Sequence, residues 1–406
     1  VIESVIAGPS GSGHLGITVL AVLDSEGSPG LSTRLRAFLD DRAPQTPCLV
    51  LDLDVVRTNY RAMLAALPEA SIFYAVKANP APEVVRALVE EGSSFDVAST
   101  GEIDLCLAQG ADPAALSYGN PIKKARDIAY AHSVGVRRFT FDAEGDLANL
   151  AEHAPGARVW CRFLVDAPAS GTPFGAKFGC SPEMALRLLG KAADLGLSVD
   201  GACFHVGSQH TDPAAWTAGI AQAGAIARGL ADAGVATRSL NLGGGFPASY
   251  RDPAPPLTAH AGAIRAAVAA HFDSPVELVV EPGRAIVATA GVIRSEVVLV
   301  SRKSDTDAHR WVYLDIGRYS GLAETENEYI AYRLRTAHPA EPSGPVIIAG
   351  PTCDGDDVIY QNTPYRLPTA LRAGDHVDIL DAGAYTASYS SVSFNGFPPL
   401  PTHFVG

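Results

Sequence analysis

The stretch Ser71-Ile72-Phe73-Tyr74-Ala75-Val76-Lys77-Ala78-Asn79-Pro80 decides how the chain folds. Its first six residues are β-formers and small apolar side chains, which predicts a buried strand, and Asn79-Pro80 stop it. Lys77 stands where that strand ends. A lysine closing an apolar strand is costly unless its charge is paired, used or removed. It can simply extend its ammonium to solvent. Alternatively, burial lowers its pKa, and a neutral amine is the nucleophile that bonds to an aldehyde.

Outward from this stretch, a unit repeats: an apolar strand ending in small or polar residues, then an Ala/Leu-rich amphipathic segment. Strands are expected at 71–76, 94–98, 116–118, 139–141, 158–165, 199–206, 239–242 and 277–280. Eight β-then-α units over about 220 residues match the scale of a (β/α)8 barrel. An open doubly wound sheet competes, but gives less reason for unusual residues after nearly every strand. Before the repeat, 48–54 (CLVLDLD) alternates as a strand and a helix is expected from Val55 to about Leu67. Past Arg284 the texture becomes β-rich, at 286–301, 311–314, 346–349 and 377–380, while 166–174 and 334–344 read as exposed loops. The expected fold is therefore α/β. A TIM barrel over 55–285 is followed by a β-sandwich-like domain over 286–406, which also takes in the N-terminal strand at 46–54. Residues 1–45 form an N-terminal extension without a readable pattern.

Composition narrows the function. Hydrophobic residues make up 47% of the 406 and the mean hydropathy is +0.12, so a sizeable core is readily built. A net charge of −13 argues against nucleic acid as the main partner. Cys48, Cys106, Cys161, Cys180, Cys203 and Cys353 are scattered, without disulfide-framework or metal-ligand spacing, which fits a reducing cytoplasm. The apolar run at 15–23 lacks preceding positive charge, so a signal peptide is not expected, nor is a membrane span or a metal site.

In a barrel, chemistry gathers where strands end at the C-terminal face. Those ends supply Lys77, Asp96, Asn120, His205 with Ser208, the run Gly243-Gly244-Gly245, and Glu281 with Gly283 and Arg284. The glycines let backbone amides approach a phosphate, although a tight turn explains any single such run equally well. Arg284 adds a cation. Glu281 needs a partner that a protonated ring nitrogen would satisfy. His205 reads either as a core histidine or as a flat surface for an aromatic ring. A lysine for an aldehyde, a cup for a phosphate and a carboxylate for a ring nitrogen together describe pyridoxal 5′-phosphate.

The motifs FYAVKANP (73–80), FDVAS (95–99), HVGSQ (205–209), NLGGGFP (241–247), EPGR (281–284), GPTCDGDD (350–357) and GAYTASYSSVSFNGF (383–397) resemble the ornithine/lysine decarboxylase branch of the alanine-racemase-type (fold type III) pyridoxal-phosphate enzymes. The resemblance runs from about Thr46 to Phe397. It implies that Lys77 holds the cofactor through a Schiff base with Asp96 close by, that His205 stacks on the ring, and that Glu281 pairs with the ring N–H. Ser208, the glycine run, Gly283, Arg284 and Tyr385 would hold the phosphate. Cys353 and Asp354 would enter from the other subunit of a head-to-tail homodimer, Cys353 returning a proton to Cα and Asp354 meeting the distal amine. Taken alone, Cys353 reads as an ordinary buried thiol.

The resemblance implies decarboxylation of a basic L-amino acid, ornithine or lysine, to a diamine of the kind used in polyamine biosynthesis. A carboxylate at 281 keeps the ring nitrogen protonated, whereas racemases of this fold carry a cation there. In the family an acidic residue beyond Tyr319 reads the distal ammonium. Related bacterial sequences have Asp where this chain has Asn327, and Glu326 or Glu328 is the expected substitute. That departure leaves open a related diamino acid. Arg318 could pair with a distal carboxylate, although a solvated arginine is the plainer reading. The rival classes are a racemase on the same fold and a non-catalytic decarboxylase homologue that acts by binding a protein.

Overall fold

The structure, a computed structural model, describes residues 30–165, 177–337 and 342–406. The apolar run at 15–23 and the loop expected at 166–174 lie outside the described residues. Strand β1 (Cys48–Asp52) precedes a barrel formed by β2 (Ala70–Ala75), β3 (Ser94–Val97), β4 (Leu116–Tyr118), β5 (Arg138–Phe141), β6 (Arg158–Arg162), β7 (Ser198–Cys203), β8 (Ser239–Asn241) and β9 (Glu277–Val280). All neighbours are parallel, and β2 closes the ring by pairing with β9, Ala70 opposite Leu278 and Ile72 opposite Val280. Each expected barrel strand is present.

Parallel strands covered by helices bury both faces, which is why these segments read as short apolar runs rather than alternating ones. Phe95, Val97, Leu116, Phe139, Phe141, Val159 and Cys161 are all fully buried. Helices follow the strands as the repeat requires, from Pro82–Glu90 after β2 to Leu257–His271 after β8. The strands at β6 and β7 end three residues earlier than the sequence suggests, at Arg162 and Cys203. Beyond Cys203 the chain turns into the mouth, where Gly207 N donates to His205 Nδ1 at 2.9 Å.

The remaining strands, β10 (Gly291–Ser301), β11 (Arg310–Leu314), β12 (Leu334–Thr336), β13 (Ser343–Ala349), β14 (Val358–Pro368), β15 (His376–Leu380) and β16 (Thr402–Val405), form one eight-stranded sheet together with β1. β1 runs antiparallel to β10, with Cys48 opposite Arg294, and parallel to β16. The barrel is thus inserted between two adjacent strands of the sheet. Two expectations need correction. The strand expected to begin at 286 starts only at Gly291, because Arg284–Val287 form a helical turn whose Ile286 and Val287 amides both donate to Gly283 O. The loop expected from 334 begins instead with β12, whose three residues pair with β15, Leu334 opposite Ile379. So short a strand carries no alternation for sequence to reveal; its pairing comes from the sheet edge beside it. β1 ends at Asp52, still opposite Val405 of β16, and its side chain caps the next helix, Leu53–Ala66, by accepting from Asp54 N at 3.0 Å.

The sheet domain also reaches the mouth of the barrel. After β15 the chain lays Gly383 and Tyr385 against the Lys77 turn: Asn79 Nδ2 donates to Gly383 O at 2.8 Å and Tyr385 N to Ala78 O at 2.8 Å. Among the described residues no helix is long and apolar enough to cross a membrane.

Candidate active site

β2 passes into a tight turn at Val76–Ala78, which lifts Lys77 out of the ladder into the mouth. Its side chain is 47% exposed, and Nζ lies 3.1 Å from Asp96 Oδ2 at the end of β3. Desolvation works against the ammonium, but the carboxylates of Asp96 and Glu281 outweigh it and hold the pKa above its ordinary value. Burial does oppose the charge, as the reading from sequence has it, but the net shift is upward, because the Asp96 carboxylate lies against the ammonium. Asp96 is 5% exposed, and its Oδ1 has no hydrogen-bond donor among the described residues. Gly119 makes room for that atom: a Cβ there would stand 1.9 Å from it.

On the opposite side, β8 and β9 deliver Asn241 and Glu281. Asn241 Nδ2 donates to Glu281 Oε1 at 2.6 Å, and its Oδ1 accepts from Gly243 N at 2.9 Å. One amide thus fixes both the carboxylate and the glycine turn. Burial first, and then Asp96, push the Glu281 pKa up to about 7. His205 follows β7. Burial, with Arg162 and Lys77 adding to it, drives its pKa well below the ordinary value, so the ring is neutral. Since Nδ1 accepts from Gly207, the proton resides on Nε2.

Gly244 packs between these two groups. A Cβ there would come 2.7 Å from Glu281 O and 3.1 Å from His205 Nε2. Gly244→Ala must displace either the imidazole or the turn after β9. It is expected to lower stability by about 1–3 kcal/mol, read as a drop in the thermal midpoint of the cofactor-free protein. An unchanged midpoint would show that the contact relaxes freely.

Arg284 is 3% exposed. Its guanidinium donates to both carboxylate oxygens of Glu324, at 2.5 and 2.7 Å, to Tyr250 Oη at 2.8 Å and to Ser208 Oγ at 3.0 Å. Its Nε is buried and has no acceptor among the described residues. The Tyr385 ring lies 4.9 Å from the guanidinium carbon, and the Tyr385 hydroxyl would stand 3.3 Å from a Cβ on Gly283. Among the described residues the N–H groups of Gly244, Gly245, Gly283 and Arg284 have no acceptor.

The structure thus brings Lys77, Asp96, His205, Ser208, Gly244, Gly245, Glu281, Gly283, Arg284 and Tyr385 to one mouth. Gly243 and Asn120 have other employment. The Gly243 amide is taken by Asn241 and its carbonyl by Glu281 N, while Asn120 shapes its own loop by donating to Ala98 O and accepting from Ile122 N. Glu328 needs a similar correction. Its carboxylate accepts from the backbone amides of Gln361, Asn362 and Thr363, which fasten it to β14 and leave little capacity to read an ammonium. Glu326 and Asn327 remain exposed, Asn327 in a left-handed conformation with φ 52°.

Cys353 and Asp354 sit exposed on a second loop. That loop is pinned by the buried Asp357, which accepts from Arg318 N, Thr352 N and Thr352 Oγ1. Arg318 donates to Asp356 O, and Tyr319 packs on Phe394 with ring centroids 4.8 Å apart. Sequence reasoning missed Asn241, Gly119, Arg162 and Glu324. Only Asn241 had a signal, as a polar residue closing an apolar strand directly before the glycines.

The arrangement fits a phosphorylated aromatic aldehyde: an amine at the mouth, a glycine cradle that any Cβ would fill, an unmatched guanidinium N–H and a buried carboxylate. The family model for the pyridoxal-dependent decarboxylase, pyridoxal binding domain, matches residues 53–288. A lysine/ornithine decarboxylase of Selenomonas ruminantium is 36% identical over 375 residues, 92% of this chain and 92% of that protein. Antizyme inhibitor 2 of Xenopus laevis is 35% identical over 370 residues, 87% of this chain and 80% of that one. The crystal structure of the lysine/ornithine decarboxylase of Vibrio vulnificus, complexed with cadaverine, superposes with a TM-score of 0.83 at 31% identity, over 95% of this chain and 100% of that one.

Proposed function

The chain belongs to the pyridoxal-dependent decarboxylases of the lysine/ornithine type, and from that premise we propose that it decarboxylates L-ornithine, with L-lysine as the alternative substrate, to the corresponding diamine. The observation that carries the reading is the meeting of Lys77, His205, Glu281 and Arg284, from the ends of three separate strands, around one glycine cradle.

When bound, pyridoxal phosphate supplies a conjugated ring that takes up the electron pair left on Cα as CO2 departs. Lys77 Nζ would hold its aldehyde carbon, with Asp96 accepting a hydrogen bond from that nitrogen. Arg284 Nε, Ser208, Tyr385 and the free amides of Gly244, Gly245 and Gly283 would hold its phosphate. His205 would lie against one ring face. Glu281 would keep a proton on the ring nitrogen, and Asn241 orients Glu281 for it. A carboxylate in this place favours decarboxylation over racemisation, since a deep electron sink needs the nitrogen protonated.

The partner subunit of a head-to-tail homodimer would complete the site. Cys353 and Asp354 are exposed on a loop held rigid by Asp357, as groups serving a neighbouring subunit would be. Cys353 would protonate Cα, and Asp354, with Tyr319 and Glu326, would face the distal amine. The free thiols fit a cytoplasmic setting, and the diamine product suits polyamine synthesis.

Ornithine, lysine, arginine and diaminopimelate offered separately should give CO2 fastest from ornithine or lysine; release from none of them would overturn the proposal. Asn327→Asp adds a charge where an ammonium is expected, and aspartate tolerates the left-handed backbone there. It should lower the ornithine KM by about tenfold with kcat nearly unchanged, the signature of a gained uniform-binding contact. An unchanged KM would place the distal amine elsewhere.

A further inference from the structure

Arg284 is a buried cation whose Nη hydrogens are all directed by protein acceptors. Glu324 takes both ends of the guanidinium, Oε1 with Nη2 at 2.5 Å and Oε2 with Nη1 at 2.7 Å, while Ser208 and Tyr250 take the outer hydrogens. Such a planar, bidentate pair fixes rotation about the guanidinium axis, which a single contact cannot. Among the described residues Nε alone lacks an acceptor, on the edge where Ser208 also meets Nη2. Glu324 is itself 13% exposed, so the pair is screened from water. It also offsets the charge of Arg284, so an anion held here is recognised by aimed hydrogen bonds rather than by excess charge.

Glu324 belongs to the turn Ala323–Glu328, which carries the exposed Glu326 and Asn327. One further bond ties this segment to the same cup, Tyr329 Oη donating to Ser208 O at 2.8 Å, while Ile330 N closes the turn on Glu324 O at 3.0 Å. We propose that Glu324 is a positioning residue for the cofactor phosphate. It holds Arg284 end-on so that the Nε edge faces the cup, and it ties the segment carrying residues 326 and 327 to that cup. The inference rests on the reading of the cup as the phosphate site. Glu324→Gln sets an amide donor against a guanidinium donor, so the clamp opens at one end and Nε loses its aim.

The test compares two ligands on the cofactor-free protein, pyridoxal phosphate and pyridoxal, by quenching of intrinsic fluorescence. The wild-type protein should prefer the phosphorylated ligand. Glu324→Gln should weaken pyridoxal phosphate by about tenfold, the order of one misaligned charge-assisted contact, and leave pyridoxal unchanged. Glu324→Asp, which retains the charge on a shorter arm, should recover part of the loss. Because opening a buried pair can cost the fold, the double variant Glu324→Gln/Arg284→Met removes both charges. There the glutamine should add nothing to the loss caused by Arg284→Met alone.

Equal weakening of both ligands in Glu324→Gln would overturn the proposal and leave Glu324 a fold residue. Unchanged or tighter binding of the phosphate would overturn it as well, since Glu324 would then merely oppose the anion. A different failure, in which Arg284→Met itself leaves the preference for the phosphorylated ligand intact, would remove the phosphate reading of the cup.

Discussion

Lys77→Arg is expected to lower CO2 release by roughly 10⁴-fold or more, the scale of losing a reacting group that acts as a unit with its neighbours. The substitution is chosen because it separates two tasks. Nζ forms an ion pair with Asp96 at 3.1 Å, and Asp96 is almost fully buried, so Lys77→Ala would remove the nucleophile and also strand a buried carboxylate. A guanidinium preserves the charge facing Asp96 but does not deprotonate in a protein, so it cannot bond to an aldehyde carbon. The variant should fold with a thermal midpoint near that of the wild type. After borohydride treatment of the cofactor-loaded protein, the wild type should carry a pyridoxyl group on the peptide containing Lys77, and the variant none. Turnover within tenfold of the wild type, or a label on another peptide, would remove Lys77 from its role. A labelled wild type that releases no CO2 from any basic amino acid would instead reveal a cofactor-binding relative without this activity. The raised pKa of Lys77 adds a pH signature. The neutral fraction of a raised amine grows as pH rises, so cofactor loading of the free protein should accelerate from pH 7 to 9.

The barrel is legible in the sequence because each of its strands is buried on both faces. The chain has to write each as an apolar run and break it with a polar residue at the mouth. The same constraint exposes Lys77, His205 and Glu281, since a charged or polar residue closing such a run has few structural reasons to be there. What escapes is set by contacts between distant segments. Glu324 sits among acidic residues in an irregular turn, and nothing local distinguishes it from Glu326 or Glu328. Only the fold puts one carboxylate on Arg284, another on the amides of β14, and leaves the third in solvent. Gly119 is one of 39 glycines, and its reason for being glycine is the Asp96 carboxylate 23 positions earlier. Strand β12 is invisible for a related cause, because three residues borrow their conformation from β15 rather than from their own pattern.

Glu281→Gln is expected to act in opposite directions on stability and on turnover. In the cofactor-free protein, burial and Asp96 raise the carboxyl pKa from 4.5 to about 7. Below pH 4.5 the group is protonated both folded and unfolded, so it costs the fold nothing. As pH rises toward 7 the unfolded chain ionises first, and the penalty of burying the anion grows until it is complete above pH 7. Glutamine escapes that penalty while its carbonyl can still accept from Asn241 Nδ2. The cofactor-free variant should therefore exceed the wild type in stability by roughly 2–3 kcal/mol at pH 8, and the gap in thermal midpoint should narrow at pH 5. With cofactor bound the advantage should vanish, because a ring N–H supplies the partner that the anion lacks. Turnover should then fall by about 10²-fold, as when one preorganised electrostatic contact is removed, with the affinity for pyridoxal phosphate only modestly weakened. A stability gap that is the same at pH 5 and pH 8 would mean that Glu281 is already ionised without cost in the free protein. Near-normal turnover would mean that the ring nitrogen does not depend on it. Either result breaks the pairing of the two effects, which follows from one property: a carboxylate held out of water, hydrogen-bonded by the neutral Asn241 amide until the cofactor brings its ring N–H.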